Sequence, residues 1–533
     1  MHKSHIGRLV VILLLPLAIL ATSALSLNSV RATSTARVAP SSHFIYFPLI
    51  FKSWPLYDWL QFNGDARHGG SNTLEKTISP ANVSQLQMLF QSTLPAVVDG
   101  APAYLTNVAT ATGIRNLIFV TTRVGDVAAL DASSGATVWA QPNQAPSCLI
   151  NNNVTRNEAC YTTSSPAIDP DRQYVYSYGL DGYVHKYAVG TGTEVVTGGW
   201  PELTSLKVYD EKGSSALTIA TDKAGQSYLY VANGGYPGDA GNYQGHLTAV
   251  NLSTGAQKVF NSLCSDQTVH FVDARITTGP DCYPTVQSAI WARAGVVYDS
   301  DNDRLYLGTG NGDFTPGQFH WGDSIFALHP DGSGAGNGNP LDSYTPTNFQ
   351  ILDNTDRDLG STAPALLPVA SGNYPHLAVQ GGKDAVLRLL DLDNLSGQNQ
   401  VGLTGGEVFS MNVPMGGEIL TQPAVWVNPA DNHTWVFVSD GNGMAGLELV
   451  VDGMGNPSLV SRWTAGSGTS PLVANGVLYL ARSGVISALS PTTGTLLWSS
   501  SLIGGIHWQS PIVANGVLYI ADQNGKLTAF SLP

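Results

Sequence analysis

Short apolar runs separated by polar turns recur along the chain, and two of them are nearly identical. Residues 470–481 read SPLVANGVLYLA and residues 510–521 read SPIVANGVLYIA, an offset of 40 residues. In each, Asn-Gly separates two apolar runs, which is a strong signal for a β-hairpin with a two-residue turn. Helical periodicity is nearly absent. The pattern therefore predicts an all-β chain built from hairpins.

A second repeated unit consists of a strand, a polar turn that contains Gly, and a strand that ends in an aromatic residue. It occurs as ALDASSGATVW, AVNLSTGAQKVF and ALSPTTGTLLW, which end at Trp139, Phe260 and Trp498. We expect these three aromatic side chains to pack between neighbouring repeats rather than to act chemically. Joined together, the two units give a four-stranded module with a period near 40 residues, which is typical of a β-propeller blade.

Eight such modules can be counted, so the sequence predicts an eight-bladed β-propeller. The last module ends at LTAFSLP, one strand short, whereas residues 84–94 have the pattern of an outer strand with no inner strands before them. We therefore expect this N-terminal strand to complete the last blade and close the ring, which would hide the sheet edges. The inner strands are predicted near Ala101–Tyr104, Ser165–Ile168, Ala216–Ala220, Gly295–Tyr298, Ala363–Leu367, Gln422–Trp426, Pro471–Ala474 and Pro511–Ala514.

Four long insertions interrupt the first half of the repeat. Residues 141–163 and 261–286 connect consecutive blades, and residues 232–245 and 311–323 connect the second and third strands of a blade. Both kinds of connection lie on the same face of a propeller, so these loops should rise together above blades 1 to 4. Loops held by a rigid scaffold often carry function. The sequence thus predicts one functional face, which we expect to bind an unidentified protein or polymer.

Four cysteines lie in two of these loops. Cys148 and Cys160 bracket eleven residues, and Cys264 and Cys282 bracket seventeen. Four cysteines allow three connectivities, and we favour the two local pairs because each would staple one inserted loop. No Cys-x-x-Cys-His occurs, so the chain has no motif for covalent haem attachment.

The N-terminal region indicates export. A basic start in residues 2–8 precedes a mostly apolar run over residues 9–27. The run suits a secretory signal peptide but approaches the length of a membrane span, so residues 1–32 are either a cleaved signal or an uncleaved membrane anchor. Either way, the remainder is expected to be secreted or held in the cell envelope.

A linker over residues 33–56 then leads into the predicted propeller domain, residues 57–533. It contains the aromatic segment HFIYFPLIFKSW at 43–54, which is interpreted as a strand on the propeller flank or as a surface anchor. We prefer the flanking strand because exposed aromatic side chains are unfavourable in water.

Composition excludes one class of partner. The formal net charge is −14 and charged residues make up 12% of the chain, about half the usual share. Lys and Arg form no basic stripe, so a nucleic-acid-binding role has no electrostatic basis.

The propeller region resembles the quinoprotein alcohol dehydrogenase-like family, also known as the PQQ-like propeller repeat family. The likeness is carried by the Gly-containing turn units, by DWLQFNGDARHGGSNTLEKTISPANVSQLQMLF at 58–90, and by YDSDNDRLYLGTGN at 298–311. The resemblance implies an eight-bladed propeller. In dehydrogenase members of the family, pyrroloquinoline quinone (PQQ) and calcium lie on the propeller axis.

The resemblance also implies candidate site residues. Asn311 matches the family's calcium-binding Asn, and the Lys383-Asp384 pair matches a segment in which a basic residue approaches the quinone. Trp291 is a candidate for the aromatic floor beneath the quinone. Asp239 is a candidate second calcium ligand, since hard oxygen donors suit calcium.

Several positions depart from the family pattern. The general base aligns with Gln318, a calcium-binding Glu aligns with Ala240, and the floor Trp aligns with Arg293, two residues beyond Trp291. The adjacent cysteine pair that covers the quinone in many members is missing. A neutral amide cannot replace an acidic base, whose loss costs about two to four decades in rate.

The acidic residues of these loops leave an alternative open. Asp239, Asp313 and Asp323 could form a rearranged acidic site, or they could belong to solvated loops with Asx-turns, since each lies close to a Gly.

Two functions follow from these observations. The departures favour an exported binding or scaffold protein with a degenerate quinone site, related in role to envelope assembly factors. Asn311 and Lys383 favour the alternative, a PQQ- and calcium-dependent dehydrogenase of alcohols, including polymeric alcohols. We expect the binding role, with enzymatic activity undecided.

The disulfide assignment is directly testable. Peptide mapping of the oxidised protein should join Cys148 to Cys160 and Cys264 to Cys282, because each pair staples one loop. A peptide that joined Cys148 to Cys264 would contradict the assignment.

Overall fold

The structure is a computed structural model. It describes residues 54–142, 160–237, 239, 241–273, 278–368 and 372–533. Within these residues the strands form eight antiparallel blades, and the compact unit runs from Trp54 to Pro533. The predicted eight-bladed propeller is therefore confirmed. The export segment, most of the aromatic segment, Cys148 and Ala240 lie outside the described residues.

Each blade has four principal strands, numbered here from the inner to the outer position. Blade 1 contains Ala103–Thr110, Gly113–Thr121, Val127–Asp131 and Thr137–Gln141; blade 2 contains Ala167–Ile168, Tyr174–Tyr178, Tyr183–Ala188 and Glu202–Leu203. Blade 3 contains Thr218–Thr221, Ser227–Gly235, His246–Asn251 and Gln257–Asn261; blade 4 contains Val296–Asp299, Arg304–Gly308, Ile325–Leu328 and Asp342–Tyr344.

The second half of the ring has shorter connections on the loop face. Blade 5 contains Ala365–Leu366, Leu377–Gln380, Val386–Asp391 and Phe409–Asn412; blade 6 contains Ala424–Val427, Thr434–Ser439, Met444–Val451 and Pro457–Ala465. Blade 7 contains Leu472–Ala474, Val477–Arg482, Val485–Leu489 and Leu496–Ser500; blade 8 contains Ile512–Ala514, Val517–Ala521, Lys526–Ser531 and Gln87–Thr93.

The remaining elements are short. Ser71–Asn72 pairs in parallel with the inner strand of blade 7, and Glu211–Gly213 adds to the second strand of blade 3. The 311–323 loop folds into a small hairpin. The hairpin strands are Phe314–Thr315 and His320–Trp321. Among the described residues, the 3-10 turns are Val83–Gln85, Pro316–Gln318 and Leu359–Ser361, and the α-helix is Phe349–Asn354.

Burial explains why the strand sequences consist largely of apolar residues. All five residues of the third strand of blade 1, Val127–Asp131, are buried, whereas the outer strand Thr137–Gln141 is largely accessible to solvent. Blades stack face to face, so the middle strands have apolar neighbours on both sides. Exposed positions are frequent in outer strands such as Thr137–Gln141 and Gln87–Thr93.

The ring closes through the N-terminal strand, as predicted. Gln87–Thr93 pairs antiparallel with Lys526–Ser531, and the register runs from Gln87 opposite Ser531 to Thr93 opposite Lys526. This pairing supplies the strand that the last blade lacks and covers the edge of its third strand.

The aromatic residues at the ends of the repeat units pack between blades, which confirms their structural role. The indole of Trp139 donates to the Val189 carbonyl oxygen of blade 2 at 2.8 Å, and its ring lies against Gly192. Phe260 contacts Phe326 of blade 4, with ring centroids 5.3 Å apart. Trp498 contacts Phe530 of blade 8 at 5.1 Å.

The predicted loop face is present, and three of its loops touch one another. The Cys264–Cys282 disulfide forms as predicted. Ser265 within that loop accepts a hydrogen bond from the Trp321 indole at 2.8 Å, which ties it to the 311–323 hairpin. The Gly245 amide donates to the Gln287 carbonyl oxygen at 3.1 Å, which ties the 232–245 loop to the end of the same connection.

Residues 57–75, here called the axial segment, bind the inner strands of several blades. Its backbone pairs with blade 1 between Trp59 and Tyr104, and the Gly70 carbonyl oxygen accepts from the Val473 amide of blade 7. The Gln61 side chain bonds both backbone groups of Ile219 in blade 3. These contacts lie within the inner strands, whereas the loop-face residues precede them. The axial segment therefore closes the axis from the opposite side.

Within the described residues, no helix has the length and apolarity that a membrane crossing requires.

A buried histidine makes the axial segment sensitive to acid. His68 is fully buried, with Nδ1 2.6 Å from the Phe62 carbonyl oxygen and Nε2 2.8 Å from the Thr218 hydroxyl. Burial lowers the pKa of His68 to about 4, so the ring is neutral in the folded protein at neutral pH. The unfolded chain takes up this proton near pH 6.5, so stability is lost as pH falls from about 6.5 towards 4.

We expect the free energy of unfolding to drop over that pH window by on the order of 3 kcal/mol through His68 alone. Denaturant unfolding at pH 7.5 and pH 4.5 measures the drop, and His68→Gln should show a smaller one. The exposed-site control His329→Gln should behave as wild type. An equal drop in His68→Gln and wild type would contradict the assignment.

Candidate functional site

A cavity of about 410 Å³ opens on the axis at the loop face. Its walls come from segments that precede the inner strands of several blades, together with the inserted loops. One end holds carboxylates, among them Asp239, Asp356 and Asp358, and the other holds the cationic side chains Lys212 and Arg293. The cavity therefore has an acidic end and a basic end.

Asn311 is fixed beside the acidic end. It follows the second strand of blade 4 and is buried. Its carbonyl oxygen accepts from the Ser288 amide at 2.7 Å, its amide donates to Asp358 Oδ1 at 2.9 Å, and its Nδ2 lies 3.3 Å from Asp239 Oδ2. Its side-chain oxygen has no hydrogen-bond partner among the described residues. A buried amide oxygen without a partner is the kind of atom a cation would satisfy.

Asp358 and Lys383 form an ion pair in the cavity wall. Lys383 Nζ lies 2.5 Å from Asp358 Oδ2 and 2.7 Å from Asp356 Oδ1. Burial raises the pKa of Asp358 above its usual range, although Lys383 and the Asn311 amide act against this. Burial alone would lower the pKa of Lys383, but the charges of Asp358 and Asp356 raise it. Asp358 is thus a buried carboxylate whose two oxygens are held in fixed directions.

Asp239 completes the acidic end. Its Oδ1 accepts from the Tyr243 hydroxyl at 2.6 Å, which leaves Oδ2 on the side of Asn311. Burial and the Asp239 charge raise the pKa of Tyr243, so the phenol stays protonated and remains the donor. The Tyr243 ring in turn meets the edge of Trp291, with centroids 6.5 Å apart. Trp291 therefore borders the cavity at its acidic end.

Arg293 dominates the basic end. Its guanidinium donates to the Thr163 carbonyl oxygen at 2.6 Å and to the Ser214 carbonyl oxygen at 2.9 Å. Burial lowers its pKa to about 10, so it stays charged at neutral pH. Arg293 Nε and the Ser214 hydroxyl are buried without hydrogen-bond partners among the described residues. Both atoms belong to residues that line the cavity, and they suit an anionic ligand group.

The structure brings together most of the residues that the sequence singled out. Trp291, Asp239 and Lys383 line the same cavity, and Asn311 touches two of its carboxylates. Asp384 is the exception. Its carboxylate forms a buried ion pair with Arg388 at 2.5 Å and does not line the cavity. We therefore remove Asp384 from the candidate site.

The acidic loop residues have three different roles. Asp239 faces the cavity, as described above. Asp313 lies on the hairpin and bonds His320 Nδ1 at 2.5 Å. Asp323 is fully buried, accepts from the Leu359 amide at 2.9 Å, and has its pKa raised to about 8, mainly by burial. They do not form one shared acidic site.

The position that aligns with the family's general base lies away from the cavity. Gln318 is exposed on the 3-10 turn of the hairpin and does not line the cavity. The carboxylate beside Asn311 is Asp358, which comes from the connection between blades 4 and 5. The only available signal was the string TDRDLGST at 355–362, where an Asp-Leu-Gly sequence precedes an inner strand.

Three further cavity residues were not predicted. Lys212 follows blade 2, and His507 and Trp508 precede the inner strand of blade 8. Lys212 Nζ lies 4.0 Å from the centroid of the Tyr161 ring. Their roles depend on blades that are distant in sequence, so no local pattern marks them.

Family models match two parts of the chain. The model described as glucose/ethanol/alcohol dehydrogenase, beta-propeller domain, matches residues 59–331, and the model described as outer membrane protein assembly factor BamB matches residues 427–532. The first match spans just over half of the 533 residues. A search of curated proteins gave no match.

Solved structures share the fold at low sequence identity. A europium-containing methanol dehydrogenase is similar with a TM-score of 0.62 and 17% identity, over 89% of this chain and 98% of that one. The quinohemoprotein alcohol dehydrogenase ADHIIG from Pseudomonas putida HK5 gives 0.60 and 15%, over 89% and 80%. One from Comamonas testosteroni gives 0.59 and 17%, over 89% and 80%. These similarities concern the fold.

Gly310 tests how closely the acidic end is packed. A Cβ at Gly310 would lie 1.9 Å from Asp358 Oδ1 and 2.8 Å from Trp291 Cδ1. We expect Gly310→Ala to displace the carboxylate and to lower the free energy of unfolding by about 1–3 kcal/mol. Gly317→Ala is the matched control, because a Cβ there meets nothing within 4 Å. Equal melting temperatures for the two variants would refute this packing.

Proposed function

Because the chain belongs to the glucose, ethanol and alcohol dehydrogenase β-propeller family, we propose that it is a quinone- and calcium-dependent alcohol dehydrogenase. The observation that carries the proposal is the position of Asp358. The buried Asp358 carboxylate lines a cavity on the propeller axis and lies against Asn311, whose side-chain oxygen has no hydrogen-bond partner among the described residues.

The residues present fit the cofactor at both ends of the cavity. At the acidic end, the Asn311 side-chain oxygen and the Asp239 carboxylate are hard oxygen donors suited to calcium. At the basic end, Arg293 Nε and the Ser214 hydroxyl are buried and have no partner in the described part of the chain, so both are available to the carboxylate groups of PQQ. Trp291, beside Tyr243 at the acidic end, offers a flat apolar surface in the cavity wall.

When bound, PQQ with calcium accepts the hydride of the alcohol. Asp358 is the general base that takes the hydroxyl proton, because its buried carboxylate is more basic than an exposed one. Lys383 holds Asp358 Oδ2 and the Asn311 amide holds Oδ1, so the base keeps one orientation. Tyr243 fixes Asp239 in the same way.

Two departures from the family pattern, at Arg293 and at Gln318, are compatible with this proposal. Arg293, in place of a floor Trp, supplies a positive charge to an anionic cofactor, and Trp291 lies two residues before it on the same wall. The binding-protein hypothesis rested mainly on the missing base at Gln318, and Asp358 weakens that argument.

Location is part of the proposal. The basic and apolar N-terminal residues and the Cys264–Cys282 disulfide support an exported protein in an oxidising compartment. A scaffold role for the loop face, with a protein partner, stays open as a second activity of the same surface.

Dye-linked alcohol oxidation by the full chain, reconstituted with PQQ and calcium, tests the proposal. We expect Asp358→Asn to reduce kcat by about two to four decades, because an amide cannot accept the proton. The variant should still take up PQQ, since Asn has nearly the same size and shape as Asp. Gln318→Ala should leave the rate unchanged. If Asp358→Asn kept the wild-type rate, or if only Gln318→Ala lost it, Asp358 would not be the base.

A further inference from the structure

A second depression extends the cavity across the loop face. This groove, of about 220 Å³, lies over blades 6, 7 and 8 and shares Leu420, His507 and Trp508 with the central cavity. The inserted loops of blades 3 and 4 rise on the opposite side of the axis, whereas the strand connections that border the groove are short. The groove therefore adjoins the central cavity along these three residues.

Nearly half of the residues that line the groove carry a hydroxyl or a carboxylate group, beside apolar surface from Leu420, Ile506 and Trp508. The groove wall contains two acidic residues, Glu418 and Asp440, one arginine, Arg482, and several hydroxyl side chains: Thr421, Ser439, Ser467, Thr469 and Ser483. Carboxylates accept hydrogen bonds strongly, and hydroxyls both donate and accept. Such a wall suits neutral hydroxyl groups better than a polyanion or an apolar chain.

Two buried oxygens in this wall have no partner. Asp440 Oδ1 accepts from the amides of Asn442 at 2.7 Å and Gly443 at 2.8 Å, which fixes the carboxylate. Asp440 Oδ2 has no hydrogen-bond partner among the described residues, and neither does the Thr469 hydroxyl. Both residues are at least 95% buried. Buried oxygens that stay unpaired are costly unless a ligand satisfies them.

Trp508 lies where the groove meets the cavity. It borders both spaces, its ring lies 4.6 Å from that of His507, and the Arg293 guanidinium is 5.8 Å from its centroid. His507 is held by Asp99, whose Oδ2 lies 2.9 Å from Nδ1. A flat side chain in this position offers the C–H face of a polyol or sugar a surface to lie on.

We propose that this groove binds a chain-like, uncharged polyhydroxyl substrate and directs one of its hydroxyl groups into the central cavity. The substrate class rests on the proposed dehydrogenase function, but binding in the groove does not require the cofactor. Asp440 and Thr469 are the binding residues, and Trp508 is the surface at the entrance to the cavity.

The test begins with the full chain free of cofactor. Titration calorimetry with maltohexaose and with short poly(vinyl alcohol) oligomers should show binding of one or the other, which identifies the source of the hydroxyl chain. Asp440→Asn keeps the Oδ1 oxygen that accepts from the two amides and replaces the Oδ2 oxygen with an NH2 group. Thr469→Val removes the hydroxyl and keeps the shape of the side chain. Each should weaken binding about tenfold, as expected for one hydrogen bond.

Thr248→Val is the matched control, because its hydroxyl is also buried and unpaired but lies outside the groove. It should leave binding unchanged. Neither groove variant should lower the melting temperature by more than the control does, since each removes an unpaired acceptor. Absence of binding by both oligomers, or equal binding by all variants, would overturn the proposal.

Kinetics of the loaded protein separate the two proposals. The groove variants should raise KM for the oligomer about tenfold and leave KM for ethanol unchanged. Binding of the oligomer without PQQ uptake would support the groove and contradict the dehydrogenase. Oxidation of ethanol without any binding of either oligomer would support the dehydrogenase and contradict the groove.

Discussion

The pairing of Gln87–Thr93 with Lys526–Ser531 is the interaction on which the rest of this structure depends. It joins residues more than 400 positions apart and turns an open row of blades into a ring. A row would expose the edge strands of its two end blades, whereas the ring has no unpaired end blade. The axial segment, which lies N-terminal to this strand, then binds the inner strands from one side. Only the loop face of the axis is left for a ligand.

The candidate site is a direct consequence of that closure. Its walls come from blades 3 and 5 and from the segments that lead into blades 2, 3, 4, 5, 6 and 8, so no single blade contains the whole site. Closure also sorts the charges. Carboxylates from blades 3 and 4 meet at one end, while Arg293 and Lys212 lie at the other. An elongated anion whose far end can coordinate a cation matches this distribution.

Most of the fold was predictable because its signals are local. An Asn-Gly turn between apolar runs specifies a hairpin whatever the rest of the chain does, and the 40-residue repeat of that hairpin specifies blades. Asn311 was recognisable for the same reason, since it ends a strand with a characteristic sequence. Asp358 was not, because it lies 47 residues from Asn311 and the chain between them forms the rest of blade 4 and a helix.

The Lys383-Asp384 pair shows the limit of reasoning from adjacent residues. Lys383 turns towards Asp358, but Asp384 is captured by Arg388, four residues further along. A sequence pattern cannot rank these two ion pairs, because the first partner is supplied by another blade. Gln318 shows the same limit: an alignment counted along the chain led to an exposed residue of the hairpin, whereas the carboxylate beside Asn311 comes from a different connection.

The proposed function depends most directly on whether the acidic and basic ends of the cavity bind the same ligand. Equilibrium titration of the full chain with PQQ, followed by the absorbance of the bound quinone, measures this with and without calcium. We predict one quinone per chain, tight binding that needs calcium, and loss of the calcium requirement together with weaker binding in Asn311→Leu. No uptake of quinone under either condition would contradict the account, as would uptake that is equally tight without calcium.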